Sequence, residues 1–397
     1  MRESVSAGAL PGTDGGHGSR DHRRPGSGGR WFAGLDGVRG FAALLVVVFH
    51  VTGGVAPFPA WTGGSVLSRL GNWGVAIFFV LSGFLLSRSF LAADADGRAA
   101  PGLGRYLVRR AVRTIPAYWV ALTGWLVWFS PVEPRPSGRQ VALFYGFGQI
   151  YRRGFVDRGG GLPVAWTLAI EATFYLLLPL AMAGLVAIRG STPRRRRRNR
   201  LAVLAAAGAA SELYRWWALG SRRTGLTAFW LPSYLGWFAL GIALAVLHVE
   251  RDHGNPLPKS LAWLADRPAL CWLLALAPVA YTAGFPAAAL SLSRGMLTAI
   301  HVANPVSGAL LLLPLVLGAP AWPRHLLDAG TPRWLGRISY GIYLWHFPLN
   351  VQVGRWIAQG ALPGTALVRL PVVLVLSLAA AQISWSLVES PLLRRLR

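Results

Sequence analysis

An all-α, polytopic membrane helix bundle of about ten transmembrane helices, with both termini cytoplasmic, is the fold class that the sequence predicts. Three observations predict it. The 397 residues are 53% hydrophobic and only 14% charged, with a mean hydropathy of +0.43, too little polar surface for a water-soluble globule of this size. Apolar runs of roughly 20 residues, enough at 1.5 Å per residue to cross about 30 Å of hydrocarbon, recur along almost the whole chain. Arginines collect in alternate loops, as the positive-inside rule requires of helices threaded back and forth.

The expected spans fall at about 34–55, 72–92, 114–131, 165–188, 201–219, 226–248, 269–288, 303–321, 335–358 and 366–388. The first reads LDGVRGFAALLVVVFHV from Leu35, and the second GVAIFFVLSGFLLSR from Gly74. The third follows a basic approach, RYLVRRAVRTIPAYW, from Arg105 to Trp119, and the fourth opens WTLAIEATFYLLLP at Trp166. The fifth is weakened by Glu212 and Arg215, and the eighth is interrupted by Pro305 and Pro314, so either is a candidate for a kinked or re-entrant segment. The ninth contains GRISYGIYLWHFPL from Gly336. Tryptophans near span ends, among them Trp31, Trp73, Trp128 and Trp322, fit the headgroup level, where an amphipathic indole is favoured.

The formal charge of +25 comes from 39 Arg and one Lys against 15 acids. In a soluble protein such a bias would suggest nucleic acid, but its distribution argues for topology instead. Basic residues stand before span one, between spans two and three, in the run Arg194 to Arg198, around Arg324, Arg333 and Arg337, and at Arg394, Arg395 and Arg397, all loops of one side. That places the protein in the cytoplasmic (inner) membrane as a multi-pass chain with no nucleic-acid partner. The segment 132–164, with Arg135, Arg139, Arg152, Arg153 and Arg158, is the exception on the external side. A single cysteine, Cys271, excludes an internal disulfide and a cysteine-based metal site. Residues 1–30, rich in Gly, Ser and Arg, read as a disordered basic cytoplasmic arm ahead of one membrane domain, 31–397.

Ionisable residues inside spans are costly, about 2.5–3.5 kcal/mol each at a helix centre, and so mark function by default. Span one carries Asp36, Arg39 and His50. Arg39 and His50, eleven residues apart, share one helical stripe at depths differing by about 16 Å. Arg39 either snorkels to headgroups and pairs with Asp36 or binds an anionic ligand. His50 is the side chain best suited to general-base chemistry near neutral pH. Glu171 in span four stands at a similar depth and would orient His50; the alternative is a structural interhelical pair. Ser82 beside Gly83, and Tyr343 and His346 on one stripe of span nine, are either packing residues or site lining. Arg110 and Arg113 at the cytoplasmic approach to span three suit phosphates, or simply anchor the helix. No metal ligand set is present, and no bound cofactor is expected.

Together these segments resemble the acyltransferase-3 family of integral-membrane O-acyltransferases. The resemblance rests on Arg39 and His50, FFVLSGFLL around Ser82, Arg110 to Trp119, WTLAIEATFY around Glu171, SYGIYLWHFP around His346, and ESP at Glu389 to Pro391. It implies an acyl-CoA donor from the cytoplasm and a hydroxyl acceptor on a glycan, glycolipid or macrolide, with Arg39 and His50 as the essential pair. The expected scheme holds CoA phosphates on Arg39, Arg110 and Arg113, while His50 acts as base on the acceptor hydroxyl or takes the acyl group first. A transporter or lipid flippase using the same buried His, Glu and Arg as a relay is the competing class.

Overall fold

The structure, a computed structural model, describes residues 32, 34–52, 64–130, 135–151, 161–220, 227–283 and 293–396. The basic arm 1–30, Trp31 and the loop arginines Arg152, Arg153 and Arg158 lie outside the described residues. A helix stands at each of the ten expected positions. They are α1 (Leu35–Thr52), α2 (Gly64–Ala95), α3 (Leu103–Gly124), α5 (Trp166–Ala187), α6 (Pro193–Gly220), α7 (Leu235–Asp252), α9 (Pro268–Ala283), α10 (Arg294–Val316), α12 (Gly330–Ala358) and α13 (Ala366–Ser384). Shorter helices intervene: α4 (Gly138–Tyr145), α8 (Lys259–Ala265), α11 (Trp322–Leu327) and α14 (Ser390–Arg394). Single π-helical turns, Trp125–Phe129 and Trp385–Glu389, extend α3 and α13. No strand occurs among the described residues.

Among the described residues six helices are long and apolar enough to cross a membrane, and the bent pair α8 and α9, 92° apart, makes a seventh by length and composition. Length and apolarity thus mark six or seven of the ten helices among the described residues as spans. The helices at the third, fifth and ninth positions, α3, α6 and α12, are long enough, but their polar side chains leave them below that apolarity. The sharp bend precedes the seventh span, not the fifth or eighth. Pro305 and Pro314 sit inside an unbroken α10. The ionisable residue of the fifth helix finds its partner on the eighth: Glu212 Oε1 lies 2.9 Å from His301 Nδ1.

α1 packs between α2 and α12, and α2 against α7. The α2–α7 crossing is close because glycine meets backbone on both sides. A Cβ at Gly83 would fall on the Phe238 carbonyl oxygen, and one at Gly241 on that of Val80. The rings of Phe79, Phe238 and Phe174 stack at centroid distances of 4.7 and 3.8 Å, tying α2, α7 and α5 together. Trp73, the first residue of its span, is 2% exposed and packs into this core, whereas Trp128 is 69% exposed.

The arginine-rich loops meet at one end of the bundle. Arg200 pairs with Asp94 at 2.7 Å, Arg196 with Glu250 at 3.2 Å, and His253 Nε2 with Asp96 at 2.9 Å. Arg197 donates to the Pro256 carbonyl. The Arg194–Arg198 run, read from sequence as topogenic and facing headgroups, thus also clamps neighbouring loops. Cys271 is buried, its thiol directed at the Leu264 carbonyl.

Candidate active site

Five helices line one cavity of about 100 Å³, in which polar side chains stand among apolar ones. α1 contributes Arg39, α2 Phe78 and Ser82, α3 Arg110 and Arg113, α5 Thr167, Glu171 and Tyr175, and α12 Ser339, Tyr340 and Tyr343. Arg110 and Arg113 reach it together because residues three apart share a helix face. The Tyr340 hydroxyl donates to the Thr114 carbonyl at 2.7 Å and so fixes α12 against α3.

Glu171 is the one carboxylate in the cavity lining, and it already has donors: Ser82 Oγ reaches Oε1 at 2.9 Å and the Tyr175 hydroxyl reaches Oε2 at 3.1 Å. Arg39, Arg110 and Arg113 make no hydrogen bond or ion pair with any described residue. Glu171 in the lining, with Asp36 close enough to act on Arg39 and Glu389 close enough to act on Arg39 and Arg113, offsets part of this positive charge, and the guanidinium N–H groups left without hydrogen bonds suit an anionic ligand with several acceptor oxygens. A second cleft of about 550 Å³ adjoins the cavity at the arginine-rich end, lined by Arg109, Arg110, Arg113, Arg337, Arg394 and Trp385 among others. Arg110 and Arg113 face both spaces and form the neck between them.

The histidines stand in a different layer. His50 and His346 line neither space. His50 Nδ1 lies 2.9 Å from the Val46 carbonyl and 3.2 Å from His346 Nε2, and His346 Nδ1 lies 3.1 Å from the Ile342 carbonyl. Hydrogen-bond geometry therefore assigns the proton of each neutral ring to Nδ1. His346 Nε2 then accepts, and His50 Nε2 is left with an available lone pair. Below the pair, Asn350 Nδ2 donates to the His50 carbonyl at 2.9 Å. The Arg369 guanidinium donates to Asn350 Oδ1 at 2.8 and 3.0 Å. His346, Asn350 and Arg369 are buried, Asn350 3% exposed and Arg369 5%, while His50 is half-buried.

The expected pairing of Glu171 with His50 is not made. Counting depth along two helices assumes equal starts and equal tilt, and here the carboxylate is taken up by Ser82 and Tyr175. Ser82 lines the cavity while its neighbour Gly83 makes the close crossing. Tyr343 lines it too, with its hydroxyl donating to the Val164 carbonyl at 2.7 Å and lying 2.6 Å from Thr167 Oγ1. His346, expected as possible site lining, faces His50 instead. Asp36 is absent from the lining; its backbone is where Gly336 packs.

Sequence reasoning missed Tyr175, Asn350 and Arg369. Tyr175 lies four residues beyond Glu171 and Asn350 four beyond His346, so helical spacing pointed to both. Arg369, an ionisable residue inside the tenth apolar run, met the same criterion as Arg39.

The family model described as an acyltransferase domain matches residues 32–386. The chain is 30% identical to "Putative peptidoglycan O-acetyltransferase YrhL" of Bacillus subtilis (strain 168), over 81% of this chain and 49% of that protein. It is 25% identical to O-acetyltransferase OatA of Staphylococcus aureus (strain NCTC 8325 / PS 47), over 92% of this chain and 58% of that one. It is 27% identical to Nodulation protein 10 of Rhizobium leguminosarum bv. viciae, over 81% and 82%. The chain thus spans about half the length of the first two relatives. No solved structure matches it.

Proposed function

Because the chain belongs to the acyltransferase domain family that matches residues 32–386, we propose that it is a membrane O-acyltransferase. It moves a short acyl group, acetyl first, from acyl-CoA to a hydroxyl of a polysaccharide or glycolipid across the cytoplasmic membrane. The observation that carries this reading is the cavity in which Arg39, Arg110 and Arg113 make no hydrogen bond to any described residue and which adjoins an arginine-lined cleft. Phosphates of the donor suit that cleft and neck, and the thioester arm then extends toward His50. The names of YrhL and OatA favour acetyl as the acyl group, and that of YrhL favours peptidoglycan over a macrolide as acceptor.

His50 Nε2 takes the proton of the acceptor hydroxyl as its oxygen attacks the thioester carbonyl. The carbon–sulfur bond breaks, and the imidazolium returns the proton to the departing thiolate, so the products are an ester and free CoA thiol. In the relay version, His50 Nε2 attacks the thioester carbonyl first and CoA leaves as a thiolate; the hydroxyl oxygen then takes the acyl group from the ring, the nitrogen–carbon bond breaks, and the hydroxyl proton neutralises the thiolate. His346 and Asn350 hold His50 in the required orientation. Glu171, bonded to Ser82 and Tyr175, joins α2 to α5 and tempers the positive field of the cavity.

The test is transfer of labelled acetyl from acetyl-CoA in proteoliposomes, with peptidoglycan fragments as acceptor. His50→Ala abolishes transfer, and Arg39→Ala raises the KM for the donor, at equal expression. Full activity of His50→Ala overturns the scheme. A trapped acyl-histidine after donor alone selects the relay version. A transporter would consume no acyl-CoA.

A further inference from the structure

The cavity has two ends, and they differ in chemistry. Lining residues on α2 run from Val75 to Leu86, eleven residues and about 16 Å along the helix axis. Arg110 and Arg113 mark one end. The residues farthest from them along their helices are Val75 and Phe78 on α2, Thr167 on α5 and Tyr343 on α12. This far end is closed by two rings: Phe78 and Tyr343 meet edge-on, 6.2 Å between centroids and 74° between planes. Tyr343 cannot swing freely, since its hydroxyl is held by the Val164 carbonyl and Thr167.

Immediately behind this closure stands the histidine pair. The Tyr343 ring is 5.9 Å from that of His346, which is in turn 5.0 Å from that of His50. Phe78 packs both against the main core and against the smaller cluster of Val47, Val51 and Ile342 around the histidine layer. One aromatic layer therefore separates a cavity built for an anionic donor from the imidazole to which the acyl group must be brought.

Resting on the donor reading above, we infer that Phe78 and Tyr343 form a size filter that sets which acyl groups reach His50. Phe78 is the adjustable member, because its side chain has no hydrogen bond to hold it, whereas Tyr343 is pinned. A two-carbon acyl group needs the least displacement of the ring. Each added methylene must be housed against the same closed wall, and one methylene in an apolar pocket changes kcat/KM by about 10- to 200-fold. The layer also keeps water on the acceptor side away from the thioester.

The experiment compares kcat/KM for acetyl-, propionyl-, butyryl- and hexanoyl-CoA in proteoliposomes, together with thioester hydrolysis in the absence of acceptor. Wild type should favour acetyl-CoA over butyryl-CoA by about 10-fold or more. Phe78→Ala should raise the butyryl-to-acetyl ratio by about 10-fold and increase acceptor-independent hydrolysis; Phe78→Leu should fall between. Val75→Phe, which narrows the same end, should lower the propionyl-to-acetyl ratio and keeps the proposal testable if Phe78→Ala fails to fold. A purely structural role for Phe78 would lower expression or melting temperature while leaving the ratios unchanged, and unchanged ratios in the folded variants overturn the filter alone. If wild type turns over no CoA thioester, the donor reading falls and the filter falls with it.

Discussion

Gly83→Ala is the sharpest test of how the bundle holds its site. An added Cβ would sit on the Phe238 carbonyl oxygen and 3.1 Å from both the Phe238 carbonyl carbon and Cα, so backbone rather than a movable side chain stands in its way. Restoring ordinary contact of about 3.5 Å requires α2 and α7 to part by roughly 1 Å. Such overpacking costs about 1–3 kcal/mol. The displacement would travel, because Phe238 stacks between Phe79 and Phe174, and Phe174 is three residues from Glu171. Ser82, adjacent to Gly83, would move away from the carboxylate it now meets at 2.9 Å. A 1 Å misplacement around a reacting centre can cost about 100-fold in rate. The control is Gly208→Ala, whose added Cβ would find its nearest neighbour, the Gly236 Cα, at 3.8 Å. Both changes gain the same helix propensity, up to about 1 kcal/mol, so their difference isolates the steric effect. Detergent-solubilised protein should melt earlier for Gly83→Ala than for wild type, with acyl transfer strongly reduced, while Gly208→Ala should match or exceed wild type in melting. Equal melting and equal turnover of the two variants would refute the close-crossing account.

Two further predictions concern the buried and the loop histidines. Asn350→Ala removes the acceptor of two Arg369 bonds and the donor to the His50 carbonyl, and should cost about 1.5–3 kcal/mol of stability while altering the pH–rate profile. Asn350→Asp, which keeps the acceptor for Arg369 but not the donor to His50, should recover melting temperature more than turnover; recovery of both together would count against a positioning role. At the arginine-rich end, the Asp96 carboxylate bonded to His253 raises the pKa of that imidazole above its ordinary 6.5. A raised folded-state pKa stabilises the fold below the unfolded value and loses that contribution as pH rises through the folded value. His253→Ala should therefore melt earlier than wild type at about pH 5.5 and level with it at about pH 9, by a small margin because the pair is partly exposed. A deficit that grows toward alkaline pH would contradict the assignment.

The sequence by itself determined the solvent, the helices and the residue types that carry chemistry. Composition and repeated apolar runs demanded lipid, and spacing along single helices placed Arg110 with Arg113 and Arg39 on the stripe of His50. Those inferences succeed because they depend on one helix at a time, where a rise of 1.5 Å and 3.6 residues per turn fix every position. What lies between helices was decided only by the tertiary structure. Glu171 went to Ser82 and Tyr175 rather than to His50, and His346 rather than Glu171 became the partner of His50. Each outcome depends on tilt, rotation and the glycine crossings that set how near two backbones come. The same packing turned two weak spans into mutual partners through Glu212 and His301, and it divided one expected site into an arginine cavity and a histidine layer with Phe78 and Tyr343 between them. A polar side chain in a membrane must find a partner, and the sequence shows that need, but only the assembled helices supply the partner within hydrogen-bond reach.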